Sequence, residues 1–130
     1  MASDKYKVLI VDDCALFRMR IHSTLLGCNL YPVFEAANYD EACDQLLKTP
    51  IHLVLLDISL PGKSGIELLR LIKKKYPDTK VMMVSNHVND YYKQFCLLHG
   101  ADHFFDKSLD FEKMEQMMSG IRNEALNAQT

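Results

Sequence analysis

Apolar residues fall along this chain in two alternating rhythms. Val8-Leu9-Ile10-Val11, Leu53-Val54-Leu55-Leu56 and Val81-Met82-Met83-Val84 are short unbroken runs, the pattern of strands buried on both faces inside a parallel sheet. Leu30 to Ala36 predicts a further strand, placed at the sheet edge because Pro32 cannot donate to a ladder. His103-Phe104-Phe105 predicts a short fifth one. Between these runs the spacing becomes helical. Leu16, Met19, Ile21 and Leu25-Leu26 predict a first helix from Ala15, stopped by Gly27. Ala42, Leu46 and Leu47 predict a second, capped by Asn38 with Glu41 reaching back, and ending before Pro50. Ile66, Leu68-Leu69 and Ile72 predict a third, ending near Pro77. A fourth is expected from Asn89 to His99, capped by Asn89 or Asp90 and stopped by Gly100. Met114, Met117-Met118 and Ile121 predict a fifth from Phe111 to about Leu126, with residues 127–130 frayed.

Five strands alternating with five helices imply right-handed crossovers and an α/β fold: a doubly wound parallel sheet with helices on both faces. The 130 residues suit one domain, 1–130, with a core over 5–123 and frayed termini. Hydrophobic content of 48% and charged content of 25% belong to an ordinary globular chain. The net charge is -2 and the one dense basic run, Lys73-Lys74-Lys75, sits where a helix ends, so the electrostatic footprint of a nucleic-acid binder is missing. The amino terminus lacks a signal-peptide core and no apolar run approaches the ~20 residues of a membrane span, which predicts a cytoplasmic location. Cys14, Cys28, Cys43 and Cys96 form no C-x-x-C pair and read as reduced small hydrophobes.

Chemistry gathers where the strands end. Asp12-Asp13 follow the first, Asp57 the third, Ser85 the fourth and Lys107 the fifth. In a parallel sheet all these exits face one edge, the edge at which open α/β sheets bind ligands. Singly each residue has a plainer reading: Asp57 as a turn cap, Asp12-Asp13 as helix caps, Ser85 as a turn former, Lys107 as a surface lysine. Together, three converging carboxylates repel unless neutralised, and oxygen-only ligands suit a hard cation such as Mg²⁺, or Mn²⁺. That cation points to phosphoryl chemistry, with a carboxylate as nucleophile and a hydroxyl and an ammonium holding phosphoryl oxygens. A Rossmann nucleotide site is not indicated, because the first turn, Asp12-Asp13-Cys14-Ala15, carries no Gly-x-Gly-x-x-Gly.

In order and spacing, Asp12-Asp13, Asp57 with Pro61-Gly62 and Gly65, Ser85, and Lys107 after Gly100-Ala101 resemble a receiver domain of bacterial two-component response regulators. The resemblance is to the single-domain, chemotaxis-regulator style and covers nearly the whole chain. It implies a flavodoxin-like strand order 2-1-3-4-5. It implies that Asp57 accepts a phosphoryl group from a histidine kinase or phosphotransfer protein. Asp12, Asp13, Asp57 and the backbone carbonyl of Ser59 would hold Mg²⁺, Lys107 would neutralise a phosphoryl oxygen, and Ser85 would turn its hydroxyl to the new phosphate. Phe104 matches the switch aromatic, which with Ser85 reshapes the face of helix four, strand five and helix five for a downstream protein target or a second copy. Neither direct nucleic-acid binding nor membrane insertion is implied.

Two positions depart from the family pattern. Asn86 stands where a small residue is usual and narrows access to Asp57; Ser108 stands where proline is usual, so a trans peptide and a differently set loop are expected around Lys107. Alternation places one of Phe104 and Phe105 inward and the other outward. Tyr91, Tyr92 and Phe95 exceed one buried stripe and form either a partner-facing patch or a contact with helix five. The competing function is a receiver-shaped interaction domain that is not phosphorylated. A phosphatase with Asp57 as nucleophile is disfavoured, since Ile58-Ser59 supply no second acid two positions on. The chain is also compatible with a piece of a longer regulator.

Overall fold

Alternate residues along each strand feed two different cores. Leu9, Val11, Val54, Leu56, Val81, Met83 and Phe104 join one cluster, while Val8, Ile10, Leu53, Leu55, Met82 and Val84 join another, as the period of two in a strand requires when both faces are covered. The computed structural model describes residues 5–86 and 90–128, with side chains to 124. Its strands are β1 (Val8–Val11), β2 (Val33–Ala36), β3 (Leu53–Asp57), β4 (Lys80–Ser85) and β5 (His103–Asp106). Its helices are α1 (Ala15–Gly27), α2 (Tyr39–Lys48), α3 (Gly65–Lys75), α4 (Asp90–Leu98) and α5 (Phe111–Ala128). All five strands are parallel, in the order β2-β1-β3-β4-β5.

The first cluster is closed by Ala42 and Leu46 of α2, Leu68, Leu69 and Ile72 of α3, and Cys96 of α4. The second is closed by Ile21 and Leu25 of α1 and Met114, Met118 and Ile121 of α5. Each such aliphatic side chain taken from water contributes about 1.5–3 kcal/mol. Two helix starts are closed by side-chain caps, the first as the sequence predicts. Asn38 accepts the Glu41 amide at 2.9 Å while Glu41 reaches back to the Ala37 amide at 3.0 Å. Ser64 accepts the Glu67 amide at 3.3 Å and opens α3.

Several sequence expectations are corrected. In α1 the inward stripe is Phe17, Ile21, Leu25 and, just beyond the helix, Cys28; Leu16, Met19 and Leu26 face outward, Leu16 with 74% of its surface exposed. Leu47 of α2 is exposed as well. Gly27 is not the stop but the last residue of α1. The turn is made by Asn29 at φ 61, with Asn29 N–H on Leu26 O (3.0 Å) and Leu30 N–H on Leu25 O (2.9 Å), the paired closure of a Schellman motif. β2 is the edge strand but starts at Val33, after Pro32. Asn127 and Ala128 belong to α5. Asn89, one of the two cap candidates for α4, lies outside the described residues.

Candidate functional site

Register brings the strand ends level. Val11 of β1 lies opposite Leu56 of β3, Asp57 opposite Val84 of β4, and Ser85 opposite Asp106 of β5. The residues that finish or follow these strands therefore meet at one edge.

Asp12 leaves β1 still hydrogen-bonded to the sheet, its amide on Ala36 O at 3.0 Å, and it is 1% exposed. Its Oδ1 accepts the Cys14 amide at 2.8 Å, the turn that launches α1. Its carbonyl receives Arg18 Nη1 at 2.5 Å, and Arg18 is steadied by Glu35 at 2.9 Å, which also faces His22 Nδ1 at 2.9 Å. Asp57, the last residue of β3, is 6% exposed. Its Oδ1 accepts the Ser59 amide at 3.0 Å. The chain then doubles back so tightly that a Cβ at position 65 would collide with the Asp57 carbonyl. That close approach requires Gly65, and the turn itself runs through Gly62 at φ +79.

Lys107 spans the acids. Its Nζ lies 2.5 Å from Asp12 Oδ2 and 3.3 Å from Asp57 Oδ2, with side chains almost wholly buried. The ammonium also sits 4.4 Å from the centroid of the Phe17 ring, a cation–π contact. Burial pushes the Asp57 carboxyl above its ordinary value, the Ser59 amide pulls it back, the Asp12 charge raises it and Lys107 lowers it; the balance is upward. For Lys107, burial alone would lower the pKa, but contact with the Asp12 carboxylate and the charge of Asp57 outweigh it and raise it.

Among the described residues, Asp12, Asp13 and Asp57 form a group whose carboxylate oxygens lie within 4.8 Å of one another. Asp13 is exposed and the other two are buried, so the cluster opens to solvent on the Asp13 side. Asp12 Oδ2 is buried and takes no directional hydrogen bond, only the ion pair with Lys107. An all-oxygen set with one such under-satisfied carboxylate oxygen fits Mg²⁺ or Mn²⁺.

The other predicted residues lie close by. Ser85 is buried at the end of β4, and its carbonyl accepts the Lys107 amide at 3.0 Å. Asn86, next to it, is exposed. Ser59 is exposed in the turn after Asp57 and engages that residue through its amide. Phe104 is buried in the cluster beneath α2, α3 and α4. Phe105 is half-buried against the other cluster, so neither phenylalanine points to open solvent, because both faces of β5 are covered. The Lys107-Ser108 peptide is trans, as expected. On α4, Tyr91 (70% exposed) and Tyr92 face outward, whereas Phe95 is half-buried and tilts over His99 at 4.2 Å.

Sequence reasoning missed Phe17, Arg18 and Glu35. Phe17 and Arg18 sit one turn after the acids, where a helix can fold a side chain back over the strand exit. That spacing was a usable signal; Glu35 had none, since it meets Arg18 through the β1–β2 pairing. A cleft of about 560 Å³ lies elsewhere, between residues 46–51 and 75–79; its charged residues Lys48, Lys75 and Asp78 are exposed, so concavity and convergent charge do not coincide.

A model of the family described as the response regulator receiver domain matches residues 8–119. Sensory transduction protein LytR of Staphylococcus haemolyticus is 32% identical over 123 residues, which cover 94% of this chain and 47% of that protein. The chain spans about half the length of the curated relatives it matches. Among solved structures, a CheY-like receiver domain protein from Methanospirillum hungatei is 27% identical with a TM-score of 0.79, covering 95% of this chain and 98% of that one. A response regulator from Burkholderia pseudomallei, solved with a phosphorylated aspartic acid, calcium ion and citrate, shares the fold at 20% identity and a TM-score of 0.78, covering 96% of this chain and 73% of that one. With the family model spanning the sheet and most of its helices, the chain belongs to the response regulator receiver domains of two-component signalling.

Proposed function

We propose that the chain, as a single receiver domain over 1–130 with its core at 5–123, is a phosphorylation-activated switch with Asp57 as its phosphoacceptor. The observation that carries this reading is the convergence of Asp12, Asp13 and Asp57 within 4.8 Å with Lys107 bridging two of them. The Burkholderia regulator, solved with a phosphorylated aspartic acid and a calcium ion, supports it by analogy of fold.

Receiver domains bind Mg²⁺ at their acidic pocket; here Asp12, Asp13, Asp57 and the Ser59 carbonyl would hold it, and when bound it supplies positive charge to the equatorial oxygens of the transferred group. An Asp57 oxygen attacks phosphorus of a phosphohistidine on a kinase or phosphotransfer protein. A P–O bond forms, the P–N bond breaks, and the imidazole leaves with the electron pair. Ser59 N–H fixes the attacking carboxylate in orientation. Lys107, held charged by Asp12 and steadied by Phe17, moves its ammonium onto a phosphoryl oxygen, so charge is exchanged between groups already in place. Ser85 turns its hydroxyl to the same group, and Phe104 follows to reshape the face of α4, β5 and α5 for a downstream protein or a second copy. Asn86 sets access from solvent. The switch operates in the cytoplasm.

The test is labelling by acetyl phosphate. Mg²⁺-dependent phosphorylation of the intact protein, abolished in Asp57→Ala, is expected. No labelling at saturating Mg²⁺ and donor overturns the reading in favour of a constitutive interaction domain, whose partner affinity beryllofluoride would leave unchanged.

A further inference from the structure

The segment after β5 solves a problem that the family usually hands to proline. With Ser108 in that place, the backbone beyond Lys107 keeps its amide and its freedom to turn. Here five consecutive amides, 106 to 110, are all tied. Asp106 N–H donates to Asp110 Oδ2 at 2.9 Å. Lys107 N–H donates to Ser85 O at 3.0 Å. Ser108 and Leu109 N–H both donate to Asp106 Oδ1, at 2.7 and 3.0 Å. Asp110 N–H closes the turn on Asp106 O at 3.0 Å. Three of the five bonds use a carboxylate, and one buried oxygen, on a residue 9% exposed, fixes both amides that follow the lysine.

We propose that Asp106 is a positioning residue for Lys107: its carboxylate, on a backbone whose amide is held by Asp110 Oδ2, sets the turn that aims the ammonium between Asp12 and Asp57. This rests on the reading of Lys107 as the group that meets the transferred phosphoryl. What the turn needs is an acceptor at Oδ1, not a negative charge; asparagine can supply it, glutamate displaces it by a methylene and alanine removes it. Asp106 is not a member of the Asp12, Asp13 and Asp57 group.

The experiment measures the rate of acetyl phosphate labelling of the full chain at saturating Mg²⁺, with thermal melts confirming that each variant is folded. Asp106→Asn should label within about twofold of the parent, and Asp106→Glu about tenfold more slowly, as does Asp106→Ala where it folds. Lys107→Ala should be at least as slow, and adding Asp106→Glu to it should cost less than about twofold more, because the two act through one group. Equal rates in Asp106→Glu and Asp106→Asn overturn the inference. So does a full additive loss in the Lys107→Ala background, which would leave Lys107's own role standing. If Lys107→Ala labels at the parent rate, the underlying reading of Lys107 fails, and the inference with it.

Discussion

The two ends of the sheet bury polar groups in opposite ways. At the amino-terminal end, among the described residues, buried Thr79 and the more exposed Lys73, Asp102 and His52 all have partners. Thr79 Oγ1 donates to Ile51 O at 2.8 Å. Lys73 Nζ donates to Thr79 O at 2.8 Å and to Asp102 Oδ2 at 2.9 Å, and that same oxygen accepts the Val81 amide at 2.8 Å. His52 Nδ1 accepts the Lys7 amide at 3.0 Å, its ring stacked on Tyr6. At the carboxyl-terminal end, two buried acids share one ammonium, and Asp12 Oδ2 has no directional bond. One end is stapled by complementary groups; the other holds charges that a ligand would relieve. Buried polarity alone therefore does not mark a site, whereas buried polarity left short of partners does.

The contrast can be broken most forcefully at the stapled end. Asp102→Ala strands the Val81 amide, leaves the Lys73 ammonium with Thr79 O alone, and should cost about 2 kcal/mol in urea denaturation, while labelling of the folded variant stays at the parent rate. A labelling rate that falls with stability would show that the ends are coupled. At the carboxyl-terminal end, Mg²⁺ at ten times its dissociation constant should stabilise the parent by about 1.4 kcal/mol. Asp12→Asn should lose most of that gain, and a gain that persists in this variant would place the cation elsewhere. Thr79→Val, which removes one neutral hydrogen bond, should cost about 1 kcal/mol; no change would mean that Ile51 O is satisfied without the hydroxyl.

The smallest effects are those of pH, and they have opposite signs at the two ends. The Asp57 pKa is raised, first by burial, so its contribution is present below the ordinary 3.8 and lost as pH rises through the higher folded value. Asp57→Asn should melt above the parent at neutral pH and lose that advantage below 3.8. The His52 pKa is lowered, first by burial and then by Lys7, so its contribution is present above 6.5 and lost as pH falls through the folded value. His52→Gln should flatten the stability profile on the acid side of 6.5. Parallel profiles for parent and variant in either case would remove that group from the account.

Strands and their exits were legible because both signals are local: an unbroken apolar run, then a change to acid, hydroxyl or ammonium. The helix cap at Asn38 is equally local, satisfied within three residues; the cap at Ser64 has the same spacing and was missed. The docking face of α1 was not legible, since apolar residues surround that helix and periodicity cannot choose between Phe17-Ile21-Leu25 and Leu16-Met19-Leu26. The Schellman closure at Asn29 competed with a nearby glycine that carried the stronger composition signal. The network of Arg18, Glu35 and His22 joins α1 to β2 and has no sequence pattern. Asp106 was in view beside Lys107, but its value lies in backbone amides that follow it, which only coordinates reveal.

The two-ranked sheet also governs where the chain can change length. Removing one residue inside β4 would exchange Met82 with Met83 and carry the error to Ser85, moving the hydroxyl to the opposite face. An added residue in the exposed turn at Pro77-Asp78 disturbs neither rank. Length variation is thus confined to turns, and a reporter peptide spliced at residues 77–78 would leave the spacing within every strand intact.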